Sequence, residues 1–234
     1  MVDPNNTYTL MQKSYYDNEG ITGNMNRENH MGHNNNADYW DILVNDTLDP
    51  VFKNKIGLDF GCGCGRNVMN LIERFKKMDG VDISSELIKT CVDNLEKIGY
   101  HSDKTEFYVC DGVSLSIFND NSYDFIMSTI VLQHICVYTI RFNYFKEFYR
   151  ILKPDGLLSF QMGYGENLIN RTAHYYEDYY DAPGTNSTYD VKVDNPEQIL
   201  ADLTKIGFKI VTYFIRPAFK DNYKCWIYIK ASKK

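Results

Sequence analysis

The chain has 234 residues, of which 44% are hydrophobic and 24% charged, with a formal net charge of −6 at pH 7. That length fits one domain with room for a lid and an insertion. The acidic balance and the lack of a basic cluster argue against nucleic acid as a partner, and no run approaches the roughly 18 apolar residues of a membrane span.

The first 30 residues are polar, so no secretory leader is expected, and the segment 1–36 reads as a lid carrying Tyr15-Tyr16-Asp17 and the pair His30 and His33. A helix is expected at about Asp38–Leu48, with Trp40, Leu43 and Val44 anchoring it. The six cysteines, at 62, 64, 91, 110, 136 and 225, follow no staple pattern and suit reduced thiols in a cytoplasm. Neither Cys62-Gly63-Cys64 nor the His30/His33 pair has converging partners, so no metal is expected.

From Ile56 to Phe60 the chain reads as a short buried strand, followed by Gly61-Cys62-Gly63-Cys64-Gly65 and a helix with Val68, Leu71, Ile72 and Phe75 on one face. Such a turn presents backbone N–H groups to a ligand. A dinucleotide fingerprint would need glycine where Arg66 stands. Asp59, two residues before the first glycine, would repel a pyrophosphate but can hold turn amides or receive an ammonium group. A tight turn without a ligand is the plain alternative.

A second strand over 78–83 ends in Asp82, 21 residues after Gly61, the spacing at which a carboxylate can accept ribose hydroxyls. Ser84 reads as an N-cap, and Leu87, Ile88, Cys91, Val92, Leu95 and Ile98 as an amphipathic helix. A third strand over 106–110 runs into Asp111-Gly112, and a fourth over 123–128 into Thr129 through Ile135. A helix with an aromatic face is expected at Phe145–Leu152, then a type I turn at 153–156 and a fifth strand at 157–160. Residues 161–194 hold six tyrosines and read as a substrate-covering insertion. Asn195-Pro196-Glu197 opens a helix with Ile199, Leu203 and Ile206 on its stripe, Gly207 stops it, and 208–215 with 224–230 form a hairpin.

The glycine turn and the ordered acids at 59, 82 and 111 resemble the class I S-adenosylmethionine (SAM)-dependent methyltransferases of small-molecule type, over about residues 50–160 and 195–230. The resemblance implies a Rossmann-like α/β fold: a seven-stranded, mostly parallel sheet in the order 3-2-1-4-5-7-6, last strand antiparallel, flanked by helices. It divides a single domain into a lid (1–36), a SAM-binding core (37–160), the insertion (161–194) and a closing helix and hairpin (195–234). It further implies that Tyr15, Asp59, Gly61, Cys62, Gly63, Asp82, Ile83, Asp111, Gly112, Val113 and Ser128 bind the cofactor. His134 is the first candidate for a base, His174 the second, and His30 or His33 the third. Tyr164, Arg171, Tyr175 and Tyr176 are the expected acceptor contacts.

Ser128-Thr129-Ile130 lacks the acid or Asn, paired prolines and aromatic of amino-methylating nucleic-acid enzymes. The expected reaction is therefore O-methylation of a small or medium hydroxylated acceptor, such as a sugar or sugar nucleotide. A catalytically silent SAM-binding partner subunit is the alternative; an NAD-type oxidoreductase is disfavoured by Arg66. Expected partners are the small acceptor and a second copy in a homodimer, with neither nucleic acid nor membrane.

Overall fold

The computed structural model describes residues 4–22, 50–97, 103–168, 171–180, 189–217 and 223–234. The helix expected at 38–48, and with it His30 and His33, lie outside the described residues. The strands are β1 (Ile56–Phe60), β2 (Lys77–Asp82), β3 (Phe107–Val109), β4 (Tyr123–Ser128), β5 (Leu152–Asn167), β6 (Arg171–Ala173), β7 (Tyr189–Val191), β8 (Phe208–Pro217) and β9 (Tyr223–Lys233). The helices are α1 (Pro4–Thr22), α2 (Arg66–Leu71), α3 (Ser85–Lys97), α4 (Tyr138–Ile151) and α5 (Pro196–Ile206).

Seven strands form one sheet in the order β3-β2-β1-β4-β5-β9-β8, while β6 and β7 pair separately. With those two short strands counted out, this is the expected order. Neighbours from β3 to β5 run parallel, and β9 is antiparallel to β5 and to β8. Parallel strands covered by helices on both faces must be apolar on both sides. Accordingly Leu58, Phe60, Ile126 and Leu158 pack with Phe145 and Phe148 of α4. On the opposite face Met78, Phe125 and Met127 pack with Val68, Leu71, Ile88 and Cys91 of α2 and α3. α5 begins with a capping box between Asn195 and Gln198 and ends at Gly207, whose φ of 122° suits glycine.

Two boundaries differ from expectation. α4 starts at Tyr138, about two turns before Phe145, because Ile140, Arg141 and Tyr144 are also buried on its inner side. β5 absorbs the expected turn as a bulge: pairing steps from Tyr123↔Leu152 to Phe125↔Leu157, with Asp155 at φ 62°. The strand then continues to Asn167 because β9 pairs with it along its length, from Leu157↔Ser232 to Asn167↔Tyr223. The start of the expected insertion is therefore sheet.

The remainder of the insertion is tied to the core by Arg141, which is fully buried. Its guanidinium donates hydrogen bonds to the carbonyls of Ile135 and Tyr175 and lies 5.3 Å from the Tyr175 ring centre. No helix among the described residues is long and apolar enough to cross a membrane.

Candidate active site

A cavity of about 240 Å³ opens beside the ends of β1, β2 and β4. Its wall comprises the glycine turn from Phe60 to Cys64 with Arg66 and Asn67, then Asp82, Ile83 and Leu87. Cys110, Gly112, Tyr144 and the loop residues Thr129, Ile130, Val131, His134 and Ile135 continue it, and α1 closes it with Gln12 and Tyr16.

The turn is shaped by backbone geometry that only glycine accepts comfortably. Gly61 sits at φ 73°, and a Cβ there would lie 2.3 Å from Cγ2 of Val131. The N–H groups of Gly61 and Cys62 donate to the Val81 carbonyl at 2.8 and 3.1 Å. Asp82 completes the turn: Oδ2 accepts from the Gly63 N–H and Oδ1 from the Ser84 N–H, both at 2.9 Å. Burial raises its pKa above the ordinary carboxylate value, and the N–H groups of Ser84, Gly63 and Ile83 oppose that rise.

Asp59, fully buried at the end of β1, is more strongly perturbed. Burial pushes its carboxyl up to about 7, against the opposing influence of the Asn67 hydrogen bond and the Arg66 charge. Asn67 Nδ2 bridges Asp59 Oδ1 at 3.2 Å and Thr129 Oγ1 at 3.0 Å. Asp59 Oδ2 is buried and has no hydrogen-bond partner. A carboxylate oxygen left in that state behind a ligand cavity is suited to an incoming cation or to ordered water.

His134 stands on the opposite wall. Its Nδ1 lies 2.7 Å from Oδ1 of Asp190 on β7, whose Oδ2 accepts from Asn167 Nδ2 at 2.8 Å. The imidazole side chain is 29% exposed and the carboxylate 2%. The His134 carbonyl is gripped by α1, accepting from Gln12 Nε2 at 2.7 Å and from the Tyr8 hydroxyl at 3.3 Å. The Cys136 N–H donates to that same hydroxyl at 2.7 Å.

Of the residues singled out from sequence, Gly61, Cys62, Gly63, Asp82, Ile83, Gly112 and His134 line the cavity together. Tyr16, not Tyr15, reaches it from α1; Tyr15 packs edge-on against Tyr16 at 5.2 Å between ring centres. Asp111 is exposed, and its carboxylate caps the following turn by accepting from the N–H groups of Val113 and Ser114. Val113 packs against the core, and the buried Ser128 hydroxyl donates to the Phe60 carbonyl at 3.1 Å.

The residues expected in the insertion lie elsewhere. His174 is exposed beside Asp194, at 3.2 Å. Tyr175 is fully buried and donates to Asp202 Oδ2 at 3.0 Å, while the half-exposed Tyr176 donates to the Gln198 carbonyl. Tyr164 packs on the core from β5, and Arg171 is exposed at the start of β6. None of these five is on the cavity wall. The partners missing from the sequence reading are Asn67, Gln12 and Asp190. Asn67 follows the glycine turn and could have been suspected, whereas nothing local joins Asp190 to a histidine 56 residues away.

Residues 58–160 match the methyltransferase domain family. Phosphoethanolamine N-methyltransferase 2 of Caenorhabditis elegans is 30% identical over 113 residues, 47% of this chain and 24% of that protein. Polyamine aminopropyltransferase of Prochlorococcus marinus is 30% identical over 139 residues, 56% of this chain and 49% of that protein. The chain thus spans less than half the length of these curated relatives. A SAM-dependent methyltransferase structure from Methanosarcina mazei superposes with a TM-score of 0.64 at 22% identity, covering 81% of this chain and 96% of the other. Residues 58–160 thus match a methyltransferase domain family, and the chain as a whole shares the fold of a SAM-dependent methyltransferase structure.

Proposed function

We propose that the chain transfers the methyl group of SAM to a small acceptor whose reacting atom must lose a proton, with His134 as the base. The observation that carries this reading is His134 itself, a half-exposed imidazole on the wall of the cavity that the glycine turn and Asp82 also line.

The residues present fit the cofactor. Asp82 stands where a carboxylate can accept ribose hydroxyls, and the turn offers bare backbone at Gly61 and Gly63. The orphaned Asp59 oxygen suits the positive end of the ligand, reached directly or through water. Ile83 and Gly112 supply an apolar edge and close backbone approach for a flat base. SAM, when bound, supplies a methyl group already activated on a sulfonium sulfur. The protein then has to align the acceptor, which can be worth roughly 7–11 kcal/mol, and to take its proton, worth roughly 10²–10⁴ in rate. His134 takes that proton at Nε2, while Tyr16 and Gln12 on α1 narrow the space left to water.

A hydroxylated small molecule remains the first reading of the acceptor, as an O-methylation. An amine is the second, favoured by charge: Asp82 on the wall, with Asp59 and Asp190 behind it, faces Arg66 as the one lysine or arginine among the described wall residues. The two curated relatives carry phosphoethanolamine and polyamine in their names.

Mass spectrometry of hydroxylated metabolites and small amines incubated with the protein and methyl-labelled SAM tests the reading. The expected result is label in one acceptor class, with a fall of roughly 10²–10⁴ in turnover for His134→Ala. Calorimetry should show binding of SAM and S-adenosylhomocysteine but not NAD, weakened in Asp82→Ala by roughly 1.5–3 kcal/mol. Tighter binding of NAD, or full turnover in His134→Ala, would overturn it.

A further inference from the structure

We infer that Asp190, anchored by Asn167, is a positioning residue that fixes the tautomer of His134 and leaves Nε2 as its proton-accepting nitrogen. The inference rests on the reading of His134 as the base, and it assigns to the insertion strand β7 a part in that chemistry.

The carboxylate is held at two points: Oδ1 lies 2.7 Å from His134 Nδ1, and Oδ2 accepts from Asn167 Nδ2 at 2.8 Å. A carboxylate so fixed cannot rotate away without losing two hydrogen bonds. It has no proton of its own to give, so the shared hydrogen belongs to Nδ1, and the other ring nitrogen carries the lone pair. Free histidine side chains favour the opposite tautomer, with hydrogen on Nε2, so the arrangement is imposed by the fold. The exposure of the two partners fits this division: the carboxylate is 2% exposed and the imidazole 29%. The main chain of His134 is fixed independently by Gln12 and Tyr8 on α1, so ring and backbone are each constrained.

A purely structural tie between β7 and the loop after β4 would need the hydrogen bond but would be indifferent to charge. A positioning role is not. An anionic partner stabilises the imidazolium formed when the proton arrives, and a neutral amide does not. The other titratable groups packed around the pair are Tyr8, Tyr15 and Tyr16 of α1, Cys136 of the loop, Tyr223 of β9 and Arg141 of α4. Burial raises the pKa of every one of these tyrosines and of the thiol, which keeps them neutral. Arg141 carries the opposing charge beside Cys136, and Asp82 acts on Tyr16.

The test needs no acceptor. Long-range ¹H–¹⁵N correlation spectra of the full chain with labelled histidine report the tautomer and titration of each ring, and His134→Gln identifies the relevant signal. The expected wild-type state is hydrogen on Nδ1. In Asp190→Asn the two tautomers should be mixed, because a neutral amide can either donate to the ring or accept from it. Asn167→Ala should mix them to a lesser degree, and Asp190→Glu should keep the wild-type tautomer. Hydrogen wholly on Nδ1 in a folded Asp190→Asn protein would overturn the inference. Should that variant fail to fold, an unchanged tautomer in Asn167→Ala would do the same. Failure of the base reading is separate: it shows as full methyl transfer by His134→Gln, whatever the spectra report.

Discussion

Asp17 on α1 accepts a 2.7 Å hydrogen bond from the hydroxyl of Ser84, the residue that opens α3. Ser84 Oγ in turn accepts from the Leu87 N–H at 3.1 Å, as an N-cap does, and the Glu86 N–H reaches Asp17 at 3.3 Å. A negative group is thus brought from another helix to the positive end of α3. Since α1 also grips the His134 carbonyl, it spans the cavity from the cofactor side to the loop after β4.

Asp17→Asn should therefore loosen α1. Burial raises the Asp17 pKa, but bonds from Lys13, Ser84 and the Glu86 N–H more than offset this and hold the carboxyl below its usual range. A depressed carboxylate contributes stability that is present above the unfolded value and lost as pH falls through the folded one. Hydrogen exchange should show α1 protected at pH 7 and progressively exposed below pH 3.8. In Asp17→Asn about 1–2 kcal/mol of that protection should already be missing at pH 7. Equal protection in both proteins would show that α1 is held by its apolar face alone.

Asp59 carries the opposite sign. Its ordinary value of 3.8 is raised to about 7 in the fold. The folded chain then holds a proton that the unfolded chain releases, so stability declines as pH rises from about 4 to about 7. Asp59→Asn should raise the Tm of the ligand-free protein at pH 8 and flatten its pH dependence. A positively charged ligand nearby would lower the Asp59 pKa and expel the proton. Titration calorimetry of SAM in two buffers of different ionisation enthalpy should thus show proton release below pH 7 in the wild type and none in the variant. Binding that is buffer-independent in both would place Asp59 outside the reach of the ligand charge.

Gly61 and Val131 are coupled by contact. Gly61→Ala combines a left-handed backbone cost of about 1–2 kcal/mol with a Cβ placed 2.3 Å from Val131 Cγ2, and overpacking adds about 1–3 kcal/mol. Denaturant unfolding should register the sum. Adding Val131→Ala should recover the packing part but not the backbone part. Purely additive losses in the double variant would show that the two side chains do not meet.

Tyr175 separates a structural tyrosine from an acceptor contact. Its hydroxyl and that of Tyr138 both donate to the buried carboxylate of Asp202, at 3.0 and 3.1 Å. Tyr175→Phe should cost about 1–2 kcal/mol of stability through the unpaired carboxylate oxygen, with methyl transfer unchanged. The reverse pattern, full stability with impaired turnover, would return Tyr175 to the acceptor site.

The sequence by itself determined the seven strands of the main sheet and the helices between them, the glycine turn, Asp82 at the end of β2 and the capped start of α5. These are written within short windows: alternation and helical spacing select the elements, and turns and caps have fixed chemistry. Tertiary structure alone decided which of two adjacent tyrosines on α1 faces the cavity. Neighbours on a helix point about 100° apart, so only the docking of the whole helix chooses between Tyr15 and Tyr16. It also decided that Tyr175 belongs to the packing of α4 and α5, a distinction aromatic density in sequence cannot make because both roles use ring and hydroxyl alike. The pairing of His134 with Asp190 is the clearest case. The two are 56 residues apart, on a loop and on a three-residue strand, and they meet because the chain just after β7 bridges to β5 at Tyr164↔Val193. Such a contact depends on how separate elements pack, and no local pattern in either segment encodes it.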